Sequence, residues 1–263
     1  MKINIQNLSF AYSSSVIFDG LNADLDGGET GRPLVILGLS GCGKTTLLKL
    51  IGSLLKPQNG QISVVHESTT EKASDLKSAF MFQESRLLPW LNVIDNVALP
   101  LEKDFGKQEA KTRARHFLSL VSLEEKENAY PAELSGGQVQ RVSMARAFAW
   151  PAPLLLMDEP FQSLDIPLRI NLMDTCLLLN ERENFSGRKR LLVAVTHDPR
   201  EALYMGGRII ILGEAGKGII FDKKISISPQ DRVYGSAVTA EMEREMIAYL
   251  ESSAGMNKGV LSD

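Results

Sequence analysis

The chain has 263 residues, 44% of them hydrophobic, enough to bury a substantial core in one large α/β domain or in one domain carrying an inserted subdomain. Its formal net charge of −3 and sequence pI near 5.8 supply no overall positive field, which disfavours a general nucleic-acid binder. The longest apolar runs, such as 33–39 and 151–157, fall far short of the ~18 consecutive apolar residues that suggest a membrane span. The start, Met-Lys-Ile-Asn-Ile-Gln, alternates as an edge strand does and lacks a signal peptide's apolar stretch, so a chain that stays in the cytoplasm is expected. Two cysteines make no disulfide framework, and both are expected as free thiols. His66, His116 and His197 are scattered along the chain, which gives a zinc site little support.

In chain order, alternating apolar residues predict strands over 3–10 and 16–25, a Gly-rich stretch follows at 27–31, and the apolar run 34–37 reads as another strand. Beyond the loop 38–43, residues 45–55 are apolar at Leu47, Leu48, Leu50, Ile51, Leu54 and Leu55, the pattern of a largely buried helix. Between 83 and 151 the character turns helical. Ala110, Ala114, Phe117, Leu118 and Val121 form one apolar face amid Lys107, Glu109, Lys111, Arg113 and Arg115, so an inserted helical subdomain is expected over about 84–150. Strand-helix alternation then resumes, with strands over 154–157, 191–196 and 208–212 and helices near 168–180 and 199–204. This predicts a mainly parallel sheet covered by helices. A last amphipathic helix is expected over 239–250, with a frayed tail from 252. No repeat appears.

Residues Gly38-Leu39-Ser40-Gly41-Cys42-Gly43-Lys44-Thr45 fit G-x-x-x-x-G-K-[ST] between an apolar strand and a helix. Glycines let the backbone curl until successive N–H groups point into one concavity, and the helix start adds about half a positive charge there. The backbone through Thr46 is thus a phosphate cradle, Lys44 is placed for the β- and γ-phosphates, and the Thr45 hydroxyl for Mg²⁺. Such a loop also serves kinases, GTPases and motors. Cys42 inside it suggests a test, since a thiol reagent there is expected to block nucleotide binding and MgATP to protect it.

Leu154-Leu155-Leu156-Met157-Asp158-Glu159 is an apolar strand ending in two carboxylates. Asp158 at the strand's C-terminal edge suits Mg²⁺, directly or through water, and Glu159 suits polarisation of an attacking water. Alone, this pattern is also that of a strand running into a solvated turn; with the phosphate loop upstream it gains a chemical role. In Leu134-Ser135-Gly136-Gly137-Gln138, Ser135 caps a helix whose Gly-containing tip makes a second anion site.

These five residues, followed by Val139-Gln140-Arg141, resemble the signature of the ATP-binding cassette (ABC) family, and the resemblance covers nearly the whole chain. It implies a P-loop NTPase (RecA-like) α/β core with a mainly parallel sheet, an N-terminal antiparallel β-subdomain, and a helical subdomain bearing the signature. It also implies ATP and Mg²⁺ as ligands. In the family's order, Tyr12 resembles the aromatic stacked on adenine and Gln83 the Q-loop glutamine near Mg²⁺ and the attacking water. Ser163-Leu164-Asp165 resembles the D-loop, and His197 the switch histidine that senses the γ-phosphate. Taken singly these are also a half-buried strand aromatic, a surface amide and a strand-end histidine; their order and spacing favour the nucleotide roles. Ser135, Gly136, Gly137 and Gln138 would act on the γ-phosphate held by a second copy, so a head-to-tail homodimer with two composite sites is implied.

The stretch 84–97 is unusually apolar. Trp90 and Leu91 fit either a core or a surface that receives a helix of a membrane permease. The stretch resembles that of bacterial importers of the nitrate, sulfonate and taurine group, which includes pyrimidine-precursor uptake. An ATPase subunit on the cytoplasmic face of the inner membrane is thereby implied. Its partners would be integral-membrane permease subunits and, indirectly, a periplasmic or lipoprotein solute-binding protein, with no nucleic acid. The alternative is a soluble ABC ATPase of translation or DNA maintenance, but tandem cassettes and long heptad repeats are absent from the sequence. A non-hydrolysing regulatory subunit would be expected to lack Glu159 or His197. The sequence departs from the family in a longer 27–33 segment, in the missing acid before Arg208, and in Ser163 where Ala is common. Too few residues follow 225 for an appended regulatory β-domain.

Overall fold

The computed structural model describes residues 1–27, 31–66, 69–162, 164–182 and 190–254. The elements run β1 (Lys2–Tyr12), β2 (Ser15–Asp26), β3 (Leu34–Gly38), α1 (Lys44–Ile51), β4 (Asn59–His66), β5 (Thr69–Lys72) and β6 (Ser78–Met81). Next come α2 (Val93–Ala98), α3 (Glu102–Phe105), α4 (Lys107–Leu120), α5 (Gly136–Ala149), β7 (Leu154–Asp158) and α6 (Ile166–Arg182). The chain continues with β8 (Leu191–Thr196), α7 (Pro199–Met205), β9 (Arg208–Leu212), β10 (Ile219–Lys224) and α8 (Ala237–Ser253). It divides into two compact units, Met1–Leu76 with Leu191–Asp263, and Lys77–Arg190.

In the first unit an antiparallel sheet of order β2-β1-β4-β5 buries Ile3, Ile5, Leu8 and Phe10 of β1. Ile5 and Leu8 are three apart, which strict alternation would put on opposite faces. A register shift between them, with Asn7 at φ 47°, turns both inward. The same unit holds the strand order β10-β9-β3-β8. There β3 lies parallel to both β8 and β9, and β10 is antiparallel to β9. Every residue of β3 and β8 is buried, as expected for parallel strands covered on both faces. Helix α1 packs on β3 and β8, α7 on the same two strands, and α8 on α7 and β9.

The second unit joins the parallel pair β6 and β7 to helices α2, α4 and α5, which pack on one another. The span 84–150 lies inside this unit and carries α2 to α5. The apolar face read from the sequence turns inward, with Ala110, Ala114, Phe117 and Leu118 of α4 fully buried and Val121 just beyond its end. Asn92 caps α2 by accepting from the Asp95 N–H at 2.9 Å.

Helix α1 is shorter than predicted. It ends at Ile51, where the Gly52 N–H donates to the Leu48 carbonyl and Ser53 takes φ 57°. Leu54 is therefore 53% exposed rather than part of the buried face. The strands β4, β5, β6 and β10 are additional to those predicted. The Gly-rich segment at 28–30, Ser163 and the tail from 255 lie outside the described residues.

Candidate functional site

The phosphate loop leaves β3 at its C-terminal end. Leu37 pairs with Thr196 across the parallel ladder, so Gly38 and His197 depart from neighbouring strands at the same level, about 5 Å apart. This is where open α/β sheets receive ligands. Gly41 and Gly43 take φ 82° and 104°, backbone that a side chain resists. A Cβ at Gly43 would meet Ile17 Cγ2 at 2.5 Å, and one at Gly38 would meet Cys42 Sγ at 2.6 Å. Sequence and packing thus demand glycine at both ends of the curl. Lys44 is 5% exposed, and its ammonium donates to the Gly38 and Leu39 carbonyls at 2.9 and 3.0 Å, so the cation sits inside the loop. Gly43 begins α1 with no side-chain cap and no acid in the first turn, which leaves the positive end of the helix dipole facing the concavity. Thr45 and Thr46 occupy that first turn. Ser40 and Gly41 form the exposed rim.

Cys42 departs from expectation. It is 5% exposed and packs beneath Gly38. Burial pushes its thiol pKa up, against the opposing pull of Lys44, so the side chain is shielded from thiol reagents that act on exposed thiolates. Its backbone, not its sulfur, faces the cradle; the Cys42 N–H closes the turn on the Leu39 carbonyl at 3.3 Å.

Tyr12 ends β1 at 45% exposure, braced edge-on by Phe10 at 4.9 Å. This supported and accessible ring can stack on a base. His197 is exposed at the end of β8. Beside it Asp198 caps α7 through the Arg200 N–H at 2.8 Å and accepts from Tyr234 Oη at 3.0 Å. Thr196 donates to Glu201 at 2.5 Å in the buried layer beneath.

In the second unit, β7 ends at Asp158, 4% exposed. Glu159 follows in the left-handed region at φ 45°, a conformation that costs a non-glycine residue about 1–3 kcal/mol and persists only where the surroundings impose it. The turn is held from three sides. The Gln162 N–H donates to the Glu159 carbonyl at 3.3 Å, Gln140 of α5 donates to the Pro160 carbonyl, and the Gln83 side chain donates to that of Gln162. Gln83 is thereby brought to the turn that carries Glu159. Gln140 and Gln162 were not singled out as site residues in the sequence. Gln140 adjoins the signature, and that was its only signal; Gln162 had none.

Ser135 caps α5 in a reciprocal box, accepting from the Gln138 N–H at 3.4 Å while the Ser135 N–H donates to Gln138 Oε1 at 2.9 Å. Ser135 and Gly136 are exposed. A Cβ on Gly136 would meet nothing within 4 Å, whereas one on Gly137 would strike Leu168 of α6 at 2.6 Å. Gly137 is thus needed for packing, and Gly136 leaves the helix tip open. Asp165 caps α6 by accepting from the Leu168 N–H at 2.9 Å.

The 84–97 stretch is a structured surface. Asn96, 1% exposed, accepts from the Leu88 N–H at 2.7 Å and donates to the Leu88 and Leu91 carbonyls at 3.1 and 2.9 Å. This anchor presents Trp90 at 70% exposure, which excludes the core reading for that residue; Val93, Ile94 and Val97 form the core instead. Arg146 of α5 donates to the Arg86 and Ser85 carbonyls, and burial lowers its pKa. A cavity of about 360 Å³ shares Arg146 and is also lined by Phe80, Pro100, Ala147 and Trp150.

The ABC transporter family profile matches residues 19–162. The aliphatic sulfonates import ATP-binding protein SsuB 3 of Pseudomonas savastanoi pv. phaseolicola is 36% identical over 243 residues, covering 92% of this chain and 83% of the relative. The SsuB protein of Albidiferax ferrireducens is 40% identical over 219 residues, covering 83% and 73%. Among solved structures, the ATP-binding cassette MJ0796, a dimer in a post-hydrolysis state bound to ADP and Pi, superposes with TM-score 0.70 at 30% identity over 86% of this chain and all of that one. A second dimeric structure of MJ0796 gives TM-score 0.72 at 31% identity over the same shares. With a phosphate loop closed on its lysine and a capped signature helix, this chain belongs to the ABC transporter family, as an ATP-binding, ATP-hydrolysing subunit with the α/β P-loop fold.

Proposed function

We propose that the chain powers import of a small solute of the sulfonate, nitrate, taurine or pyrimidine-precursor group by hydrolysing ATP on the cytoplasmic face of the membrane. The observation that carries the chemistry is Lys44, a cation held inside a glycine cradle at a helix N-terminus. The solute group rests on relatives named for aliphatic sulfonate import and on the 84–97 stretch.

In this reading the backbone of Gly38, Ser40, Gly41, Cys42, Gly43, Lys44, Thr45 and Thr46 binds the phosphates, and Tyr12 stacks on adenine. The Thr45 hydroxyl, the Asp158 carboxylate and the Gln83 amide each offer an oxygen donor of the kind Mg²⁺ takes, and these residues would hold the ion. When bound, the ion would neutralise charge on the β- and γ-phosphate oxygens. Glu159 orients and deprotonates water, His197 reads the γ-phosphate, and Gln83 relays the state of the site to the permease. Ser135, Gly136, Gly137 and Gln138 of a second copy close over the γ-phosphate, with Asp165 at the dimer contact. ATP binding then closes a head-to-tail homodimer and hydrolysis opens it.

Residues 84–150 act as the helical subdomain, and roughly 84–97 contact the permease, which a periplasmic or lipoprotein solute-binding protein serves. No helix among the described residues is long and apolar enough to cross a membrane. Glu159→Gln is expected to lower kcat by about a hundredfold or more while ATP binding persists, trapping the dimer on size-exclusion chromatography. Wild-type turnover in that variant would sink the assignment of Glu159. Recovery of the full chain with ribosomes rather than with a permease would overturn the importer.

A further inference from the structure

The turn that follows Asp158 and Glu159 contains a residue with no assigned task. Gln162 is joined to both of the groups placed around the attacking water, through its backbone N–H to the Glu159 carbonyl at 3.3 Å and through its side chain to Gln83. Glu159 holds φ 45°, a conformation that surrounding contacts must impose. Gln140 grips the same turn at the Pro160 carbonyl, leaving the Gln83 contact as the tie at its other end.

Gln83 itself is exposed, so without a partner its side chain would sample several rotamers in water. Resting on the function proposed above, we infer that Gln162 is a positioning residue that fixes the Gln83 side chain to the turn carrying Glu159, coupling the Q-loop to the hydrolytic carboxylate within one unit. The contact needs an acceptor on residue 162, since Gln83 Nε2 donates to Gln162 Oε1. A glutamate there preserves it, and a methionine of similar length abolishes it.

The test is a double-mutant cycle on the purified full chain, measuring kcat and KM for MgATP in wild type, Gln162→Met, Gln162→Glu, Gln83→Ala and the Gln83→Ala/Gln162→Met double variant. Both side chains are exposed, so the variants are expected to fold, which thermal melting checks. Gln162→Met is expected to lower kcat about fivefold, the factor carried by one net hydrogen bond, with KM changed by less than about twofold. Gln162→Glu is expected to restore most of that loss, and Gln162→Met to add nothing in the Gln83→Ala background. An unchanged kcat in Gln162→Met, or the same fold-loss in both backgrounds, overturns the inference. Absence of MgATP hydrolysis in the wild-type chain, or wild-type kcat in Gln83→Ala, would instead overturn the underlying assignment of Gln83.

Discussion

Gly43 shows how much of the site is set by single residues. Its φ of 104° and the 2.5 Å approach a Cβ would make to Ile17 Cγ2 are two separate objections to any side chain. Gly43→Ala is expected to cost about 2–4 kcal/mol in urea unfolding and to abolish nucleotide binding, because relief of either strain moves the loop. An unfolding curve that overlays wild type would refute this account. The motif made this glycine legible in the sequence, since it has one backbone solution. Cys42 was legible only as to its backbone. Whether its sulfur faces solvent or the underside of Gly38 depends on how the curl sits on β3 and on Leu212, and no local pattern encodes that. The same holds for Gln162, an amide without periodicity whose partner Gln83 lies 79 positions away.

Among elements, the helix α2 segment is built around a buried polar side chain. Removing the Asn96 amide would take away the partner of the Leu88 N–H and of the Leu91 carbonyl, while the Leu88 carbonyl keeps only the Leu91 N–H at 3.1 Å. Asn96→Ala is accordingly expected to destabilise the protein by about 2–4 kcal/mol in chemical denaturation; a loss under about 0.5 kcal/mol would show that water replaces the amide at no cost. The fully buried strands β3, β7 and β8 were readable as short unbroken apolar runs, and the amphipathic α4 by its helical period. Strands β5 and β6 span four residues each, and among the described side chains of β4 only Ile62 and Val64 are buried. Strands β5 and β10 pair as hairpins with the strand just before each, whereas the state of β4 and β6 is decided by pairing with β1 and β7, strands remote in the chain, a case of tertiary context overriding weak local preference. Helix α1 stops early for a comparable reason, as Ser53 in the left-handed region turns the chain before Leu54 can be buried.

At the scale of the whole molecule, Trp90 stands out among the described residues, since an aromatic of this size exposed on a loop hydrogen-bonded to Asn96 suits an interface anchor. Trp90→Ala is expected to reduce recovery of the permease with the full chain by about tenfold or more while ATPase activity of the isolated chain stays within about twofold of wild type. Equal recovery would remove 84–97 as the proposed docking surface. Remote pairing also resolves one departure from the family pattern. No acid precedes Arg208, yet its guanidinium meets Asp222 at 2.7 Å and Asp26 at 3.1 Å, so the partners come from β10 and β2 instead of the neighbouring position.

The backbone course of the 38–46 loop and the starts of α1 and α5 were legible along the chain alone, because the glycine-rich loop, the capped signature and the fully apolar strands are each local solutions with few alternatives. Which side chains stand beneath, beside or away from that loop was decided by folding. Burial of Cys42 under a loop seated on Leu212 and the joining of Gln83, Gln140 and Gln162 around Glu159 depend on contacts between segments far apart in sequence, and those exist only once the strands have paired and the helices have packed.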